Sequence, residues 1–353
     1  MREFVRGAPW WTEDGRVVRA DPADRDRLPA DTWERAGVPA GVRLEFTARG
    51  VSAVEVEYTA SEPSPADSYR EVPHVFTALC DFTALHDFRA LHDAWPAGAA
   101  GGAERATSPN ATDGPGSALR APVVAEAPAS PGAHLARLDL PRTDGTFTVH
   151  LPEALRPVIH GVRPVGGGTI EPAARRPRWL VHGDSITEGW SVSRPHLAWP
   201  ALAGRALGVE TVNLGYAGAA RGEMASAEQL ASLDADLITV AFGTNCWSRT
   251  PHSAGLLYET VRAFLDLVRR GHPDVPLLVV SPVVRPDAET VPNALGATLR
   301  DLRTAVERAA LDAGTDLLPG GELLDAGHLV DGVHPGDEGH ALLAKAVAAA
   351  QAP

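Results

Sequence analysis

The chain has 353 residues, and at roughly 150 residues per domain it holds about two domains, each long enough to bury a full-sized core. With 44% hydrophobic and 22% charged residues, and no stretch near the roughly 18 apolar residues of a spanning helix, the composition excludes a wholly disordered chain and a membrane protein. The formal charge of −13, from 32 basic and 45 acidic residues, repels phosphate backbones and anionic lipid, so neither nucleic acid nor a membrane surface is an expected partner. The opening residues Met1-Arg2-Glu3-Phe4-Val5-Arg6 carry no apolar run of a secretory signal, which predicts a cytoplasmic protein. Two cysteines, Cys80 and Cys246, are too few for a disulfide framework.

From about residue 40, apolar and polar residues alternate. Val42, Leu44 and Phe46, then Val54, Val56 and Tyr58, share one face, with Arg43, Glu45, Glu55 and Glu57 on the other. The period returns at Leu138 and Leu140, and again at Phe147, Val149 and Leu151, across the turn-rich Pro141-Arg142-Thr143-Asp144-Gly145. Half-buried strands of this kind predict an all-β first domain over residues 1–174, a β-sandwich or jelly roll. Within it, residues 96–132 hold 23 Ala, Gly or Pro among 37 and no aromatic residue, which predicts a mobile insertion. Just before it stand three tandem hexapeptides, Phe76-Thr-Ala-Leu-Cys-Asp81, Phe82-Thr-Ala-Leu-His-Asp87 and Phe88-Arg-Ala-Leu-His-Asp93. Their Cys80, His86 and His92 suggest a metal site, but a spacing of six fits no compact ligand motif, and a repeat expansion in a loop or strand edge is the better reading.

After the joint Ala173-Ala174-Arg175-Arg176-Pro177 the pattern changes. Short apolar runs at Trp179–His182, Thr211–Leu214, Leu237–Phe242, Leu277–Val280 and Asp316–Leu318 read as buried strands. Between them, Leu257, Val261, Phe264, Leu265 and Val268, then Leu295, Leu299, Leu302 and Val306, fall on helical faces, and an Ala-rich helix over 338–350 closes the chain. Residues 175–353 are therefore predicted to be an α/β domain with a parallel sheet covered by helices.

In such a sheet ligands bind beyond the carboxyl ends of the strands, and four polar loops converge there. They are Gly183-Asp184-Ser185-Ile186-Thr187, Asn213-Leu214-Gly215-Tyr216-Ala217-Gly218, Gly243-Thr244-Asn245-Cys246 and Asp331-Gly332-Val333-His334. Each has a role in acyl transfer. Ser185 is a poor nucleophile until a base takes its proton, and His334, with a reference pKa of about 6.5, is suited to that at neutral pH. Asp331 would orient the imidazole. The N–H groups of Ser185 and Gly218 and the Asn245 amide would form an oxyanion hole.

Block by block these residues resemble the SGNH/GDSL hydrolase family, over about residues 178 to 350. The resemblance implies a flavodoxin-like α/β/α catalytic domain and ester or acyl hydrolysis with neither metal nor cofactor, with Ser185, Asp331 and His334 as the triad. Members with an amino-terminal β-sandwich include carbohydrate acetyl esterases and an acyltransferase acting on aromatic polyketides. The Arg178–His182 lead-in and the Gly243-Thr244-Asn245-Cys246-Trp247 run look closer to the latter. One residue departs from the family pattern: Cys246 stands where the third block usually ends in Asp, and it is expected to be buried and inert. Trp190, Tyr216, Arg221 and Trp247 each lie near a block and are candidates for the substrate pocket. His182, inside the first strand of the domain, is expected to be a hydrogen-bonded structural residue.

The resulting expectation is a serine ester hydrolase for a small-molecule ester, working through a Ser185 acyl-enzyme. The alternative is an acyltransferase that moves an acyl group from a thioester such as acyl-CoA to an alcohol or phenol. More remote is a glycan-binding protein without activity. The −13 charge disfavours strongly anionic donors unless local arginines such as Arg221 offset it.

Overall fold

The structure, a computed structural model, describes residues 1–64, 73–80 and 122–352. The first half holds three short strands, β1 (Val5–Arg6), β2 (Trp10–Trp11) and β3 (Val17–Val18), and one helix, α1 (Ala30–Ala36). These precede β4 (Arg43–Arg49), β5 (Ala53–Ala60), β6 (Val75–Cys80), β7 (Val123–Pro128), β8 (Gly132–Asp139), β9 (Gly145–His150), β10 (Val158–Val165) and β11 (Thr169–Pro172). Among the described residues two antiparallel sheets form a sandwich. One runs β1-β4-β9-β6-β7, with β11 sharing the outer edge of β4, and the other runs β10-β5-β8. The alternation sends Leu44, Phe46, Val54, Val56 and Tyr58 into the space between them, where Phe46 stacks on Phe147 with centroids 5.8 Å apart and Tyr58 meets Phe76 edge-on at 4.9 Å.

The insertion expected over 96–132 is shorter at its end. Residues 96–121 lie outside the described residues, but Val123–Pro128 is a strand paired with Val75–Cys80. Small side chains are enough for an edge strand: Ala127 is buried in the core, and the partly buried Val124 and Ala125 pack against it. The first hexapeptide supplies β6, while the second and third lie outside the described residues.

The second half is a five-stranded parallel sheet in the order β13-β12-β14-β15-β16, built from β12 (Arg178–Gly183), β13 (Glu210–Gly215), β14 (Leu237–Ala241), β15 (Leu277–Val280) and β16 (Asp316–Leu318). It is covered on one face by α4 (Met224–Ser232), α6 (Ala254–Gly271) and α7 (Leu299–Asp312), and on the other by α3 (Trp199–Leu207) and α8 (Asp337–Gln351). Two short helices, α2 (Ser185–Glu188) and α5 (Asn245–Ser248), start directly at strand ends. The helix read from Leu295 begins instead at Leu299. Thr298 and Asp301 form a reciprocal capping box that stops it there, leaving Leu295 54% exposed. Among the described residues no helix is long and apolar enough to cross a membrane.

The two halves share more than a linker. Ala20, Leu28 and Ala36 pack into the α/β core, so the segment ending in α1 belongs to that core although it lies between two sandwich strands, β1 and β4. A helix of seven residues opened by Pro29 is too short to show a helical period, which is why the all-β reading misses it. Polar ties reinforce the contact. Buried Arg43 donates to the Thr211 carbonyl at 3.1 Å and pairs with Glu45, which also takes Arg176 at 2.6 Å.

Candidate active site

The sheet order reverses at β12, and the loops following β12, β13 and β14 open on the same rim. Ser185 is the first residue of α2, behind the N-cap Asp184, whose carboxylate accepts the Ile186 N–H at 3.0 Å. The serine is 7% exposed and its Oγ lies 2.8 Å from His334 Nε2. His334 Nδ1 lies 2.7 Å from Asp331 Oδ2. Asp331 also accepts the backbone N–H groups of Val333 and His334 at 3.0 and 2.8 Å. This tight turn needs Gly332 at φ +80°, a conformation other residues adopt at a cost. Burial alone would raise the Asp331 carboxyl; the donors from His334 and Val333 outweigh it and hold the group below the ordinary carboxylate value. An acceptor on Nδ1 leaves Nε2 free to receive the Ser185 proton.

Gly218 has φ +71°, and among the described residues nothing accepts its N–H. Asn245 opens α5 and uses one amide hydrogen on the Ala220 carbonyl at 3.2 Å, leaving the other for a ligand. Ser185, Gly218, Asn245 and His334 line one pocket of about 370 Å³, a size suited to a small substrate. The Ser185 hydroxyl, the His334 imidazole, the Gly218 backbone and the Asn245 amide thus face a common space, an arrangement compatible with acyl transfer.

Of the residues proposed for the pocket from their sequence position, the structure brings in one. Trp190 lines it and tilts against His334 with ring centroids 5.8 Å apart. Tyr216 is instead buried below the rim, where its hydroxyl donates to the Arg19 carbonyl. Arg221 is held by Asp31 at 2.8 and 2.9 Å and by Glu223 at 3.0 Å, and Trp247 donates its indole N–H to the Val291 carbonyl. His182 is structural but sits among rings, stacked on Phe264 at 5.1 Å, with no side chain in hydrogen-bond reach; burial pushes it down to about 4 and keeps it neutral. Cys246 is fully buried with its thiol toward the Arg221 carbonyl, and burial pushes that thiol up, away from thiolate chemistry.

Sequence reasoning missed the support beneath the Gly218 loop. Glu188, fully buried at the end of α2, accepts the Ala217 N–H at 2.9 Å. It pairs with Arg35 of α1 through both oxygens and with Arg19 at 3.4 Å. The Arg35 guanidinium in turn stacks over Trp190 at 5.6 Å. No local signal marks this triad, because Glu188 lies more than 150 positions from either arginine.

Asp184 carries a pH dependence of its own. It is buried beside a cavity of about 30 Å³ lined by Trp199, Phe242 and Val280, and that desolvation raises its carboxyl to about 6 from an ordinary 3.8. The folded chain therefore keeps a proton that the unfolded chain loses, so the Asp184 contribution to stability is full below about pH 4 and is lost as pH rises through about 6. Asp184→Asn keeps the cap acceptor without the charge. Its melting temperature should match wild type near pH 4 and exceed it by a few degrees at pH 7. Thermal melts across that range check this, and parallel profiles for the two proteins would refute it.

Comparison with known proteins agrees with this architecture. Residues 181–342 match the family model of GDSL-like lipases and acylhydrolases. Among solved structures, a salicylyl-acyltransferase from a tetracycline biosynthetic pathway is 23% identical with a TM-score of 0.76, over 97% of this chain and 92% of that one. A protein of Bacteroides ovatus described as a GDSL-like lipase is 17% identical with a TM-score of 0.72, over 97% and 93%. A family two carbohydrate esterase of Clostridium thermocellum, in complex with cellohexaose, is 12% identical with a TM-score of 0.57, over 87% and 90%. At these identities the likeness is one of fold. No curated protein matches the sequence.

Proposed function

We propose, from the match of residues 181–342 to the GDSL-like lipase/acylhydrolase family model, that the protein is a serine ester hydrolase acting on a small-molecule ester through a Ser185 acyl-enzyme. The observation that carries this reading is the continuous relay from Asp331 through His334 to Ser185, with links of 2.7 and 2.8 Å. Ser185 Oγ attacks the ester carbonyl as its proton passes to His334 Nε2. The tetrahedral oxyanion takes hydrogen bonds from the Ser185 and Gly218 N–H groups and the Asn245 amide, each worth on the order of 3 kcal/mol. Collapse expels the alcohol, which takes the proton from His334. Water then attacks the acyl-enzyme, gives its proton to His334, and releases the acid as the proton returns to Ser185.

Labelling by a fluorophosphonate followed by peptide mapping tests the assignment. The adduct is expected on Ser185 and absent from Ser185→Ala. Modification of another residue would overturn it.

Acyl transfer is the second reading, supported by the fold shared with the salicylyl-acyltransferase along nearly the whole chain. It needs the same acyl-enzyme, formed from a thioester and resolved by an alcohol or phenol in place of water. Mass spectrometry of products from an acyl-CoA panel with phenolic and sugar acceptors distinguishes the two. Acceptor esters favour transfer, and free acid under every condition favours hydrolysis. The intact relay weighs against a glycan-binding protein without activity.

A further inference from the structure

The pocket at Ser185 has a charge opposite to that of the chain. Against a formal −13, its wall carries three arginines, Arg35, Arg249 and Arg285, and no carboxylate among the described residues. Two of the three are matched elsewhere. Arg35 is paired with buried Glu188. Arg285 is held by Asp287 at 2.8 and 3.0 Å, donates to Ser248 Oγ at 3.3 Å, and stacks over Trp247 at 4.8 Å. Arg249 differs: among the described residues its guanidinium has neither an ion pair nor a hydrogen-bond acceptor.

Its position is fixed by the oxyanion machinery. Arg249 follows Asn245 by four residues, and its N–H donates to the Asn245 carbonyl at 2.9 Å, so the two side chains leave the same face of one helical turn. A Cβ placed on Gly218 would lie 3.6 Å from Arg249 Nε, 3.8 Å from Cζ and 3.9 Å from Nη2. The guanidinium therefore stands over the Gly218 loop, beside the space where the substrate carbonyl would sit. Its donors form a planar fork matched to a carboxylate or a phosphate. We propose that Arg249 recognises an anionic group, carboxylate or phosphate, on the ester or thioester substrate, and so makes the enzyme selective for anionic substrates. The inference rests on the Ser185 acyl-enzyme proposed above, which both readings share, and extends it to a substrate class. It also transfers to Arg249 the role expected of Arg221, whose charge is neutralised by Asp31 and Glu223.

The test compares matched substrates. For carboxylate, mono-p-nitrophenyl succinate is set against an uncharged p-nitrophenyl ester of equal chain length. For phosphate, an acyl-CoA is set against the same acyl group on N-acetylcysteamine. In at least one pair the charged member should have the higher kcat/KM in wild type, and the charged-to-uncharged ratio should fall about ten-fold or more in Arg249→Gln. Arg249→Lys should restore part of it, and raising the salt from about 0.05 to 0.5 M should lower the wild-type ratio. The pair that responds identifies the anion. Ratios unchanged in both pairs would overturn the proposal.

A protein that turned over neither esters nor thioesters would overturn the acyl-enzyme reading and leave the anion site untouched. Calorimetric titration with monomethyl succinate and with coenzyme A would then decide the anion site. Binding weaker by about ten-fold in Arg249→Gln sustains it, and equal affinities refute it.

Discussion

Asp331→Asn is expected to lower kcat on a chromogenic ester by about 10³–10⁴-fold while changing KM far less. Asp331 does three things at once: it closes its own turn by accepting the Val333 and His334 N–H groups, and it accepts the imidazole N–H at 2.7 Å. Asparagine can keep the first two bonds through its oxygen. Its amide nitrogen then faces His334 Nδ1, where a donor favours the tautomer with the proton on Nε2. That tautomer cannot accept the proton of Ser185, although the turn, the pocket and the oxyanion donors are all in place. Steady-state kinetics check the split between kcat and KM, and a loss smaller than about ten-fold would mean that something other than Asp331 orients His334.

The parts of this site legible in the sequence are those whose partners are brought together by a repeated local rule. Each polar block lies at the carboxyl end of a short apolar run or just before a helix, and in a parallel sheet all such ends share one rim, so Ser185, Gly218, Asn245 and His334 can be grouped from the sequence alone. The strands themselves were legible for the same reason, since burial on both faces leaves uninterrupted apolar runs such as Leu277–Val280. Proximity in sequence did not predict the pocket wall. Tyr216 adjoins a catalytic loop but points beneath it, while Arg35, from a helix 150 residues before the nucleophile, reaches the wall itself. Arg221 and Arg249 look equivalent as isolated arginines near a block. What separates them is the placement of Asp31 and Glu223, which tertiary structure alone supplies. The same holds for the segment between β1 and β4: Ala20, Leu28 and Ala36 show no period that assigns them to the core of the other half.

Glu188→Ala is expected to cost about 3–5 kcal/mol of stability and to lower the activity of whatever folded protein remains. The carboxylate is fully buried against two guanidinium groups, Arg19 and Arg35, and burial already pushes the Arg19 guanidinium down while Glu188 pulls it up. Removing the acid takes from two buried cations the carboxylate they share, which costs far more than the net worth of the intact pair. Part of the penalty should vanish when Arg35 is removed as well, so the Glu188→Ala, Arg35→Ala double variant should lose less than the sum of the single losses in urea unfolding. The effect on catalysis follows a separate path. Glu188 also accepts the Ala217 N–H, one residue before the Gly218 donor, and so holds the oxyanion loop in register with Ser185, three residues before it on the same short helix. Without that bond the Gly218 N–H is no longer fixed, and misplacement on the scale of 1 Å lowers kcat by up to about 10²-fold. Measured on the folded fraction at low temperature, kcat should therefore fall in Glu188→Ala more than in Arg35→Ala, which leaves the Ala217 bond in place. Equal kcat in the two variants would show that the triad only stabilises the fold and that the loop is positioned by other contacts.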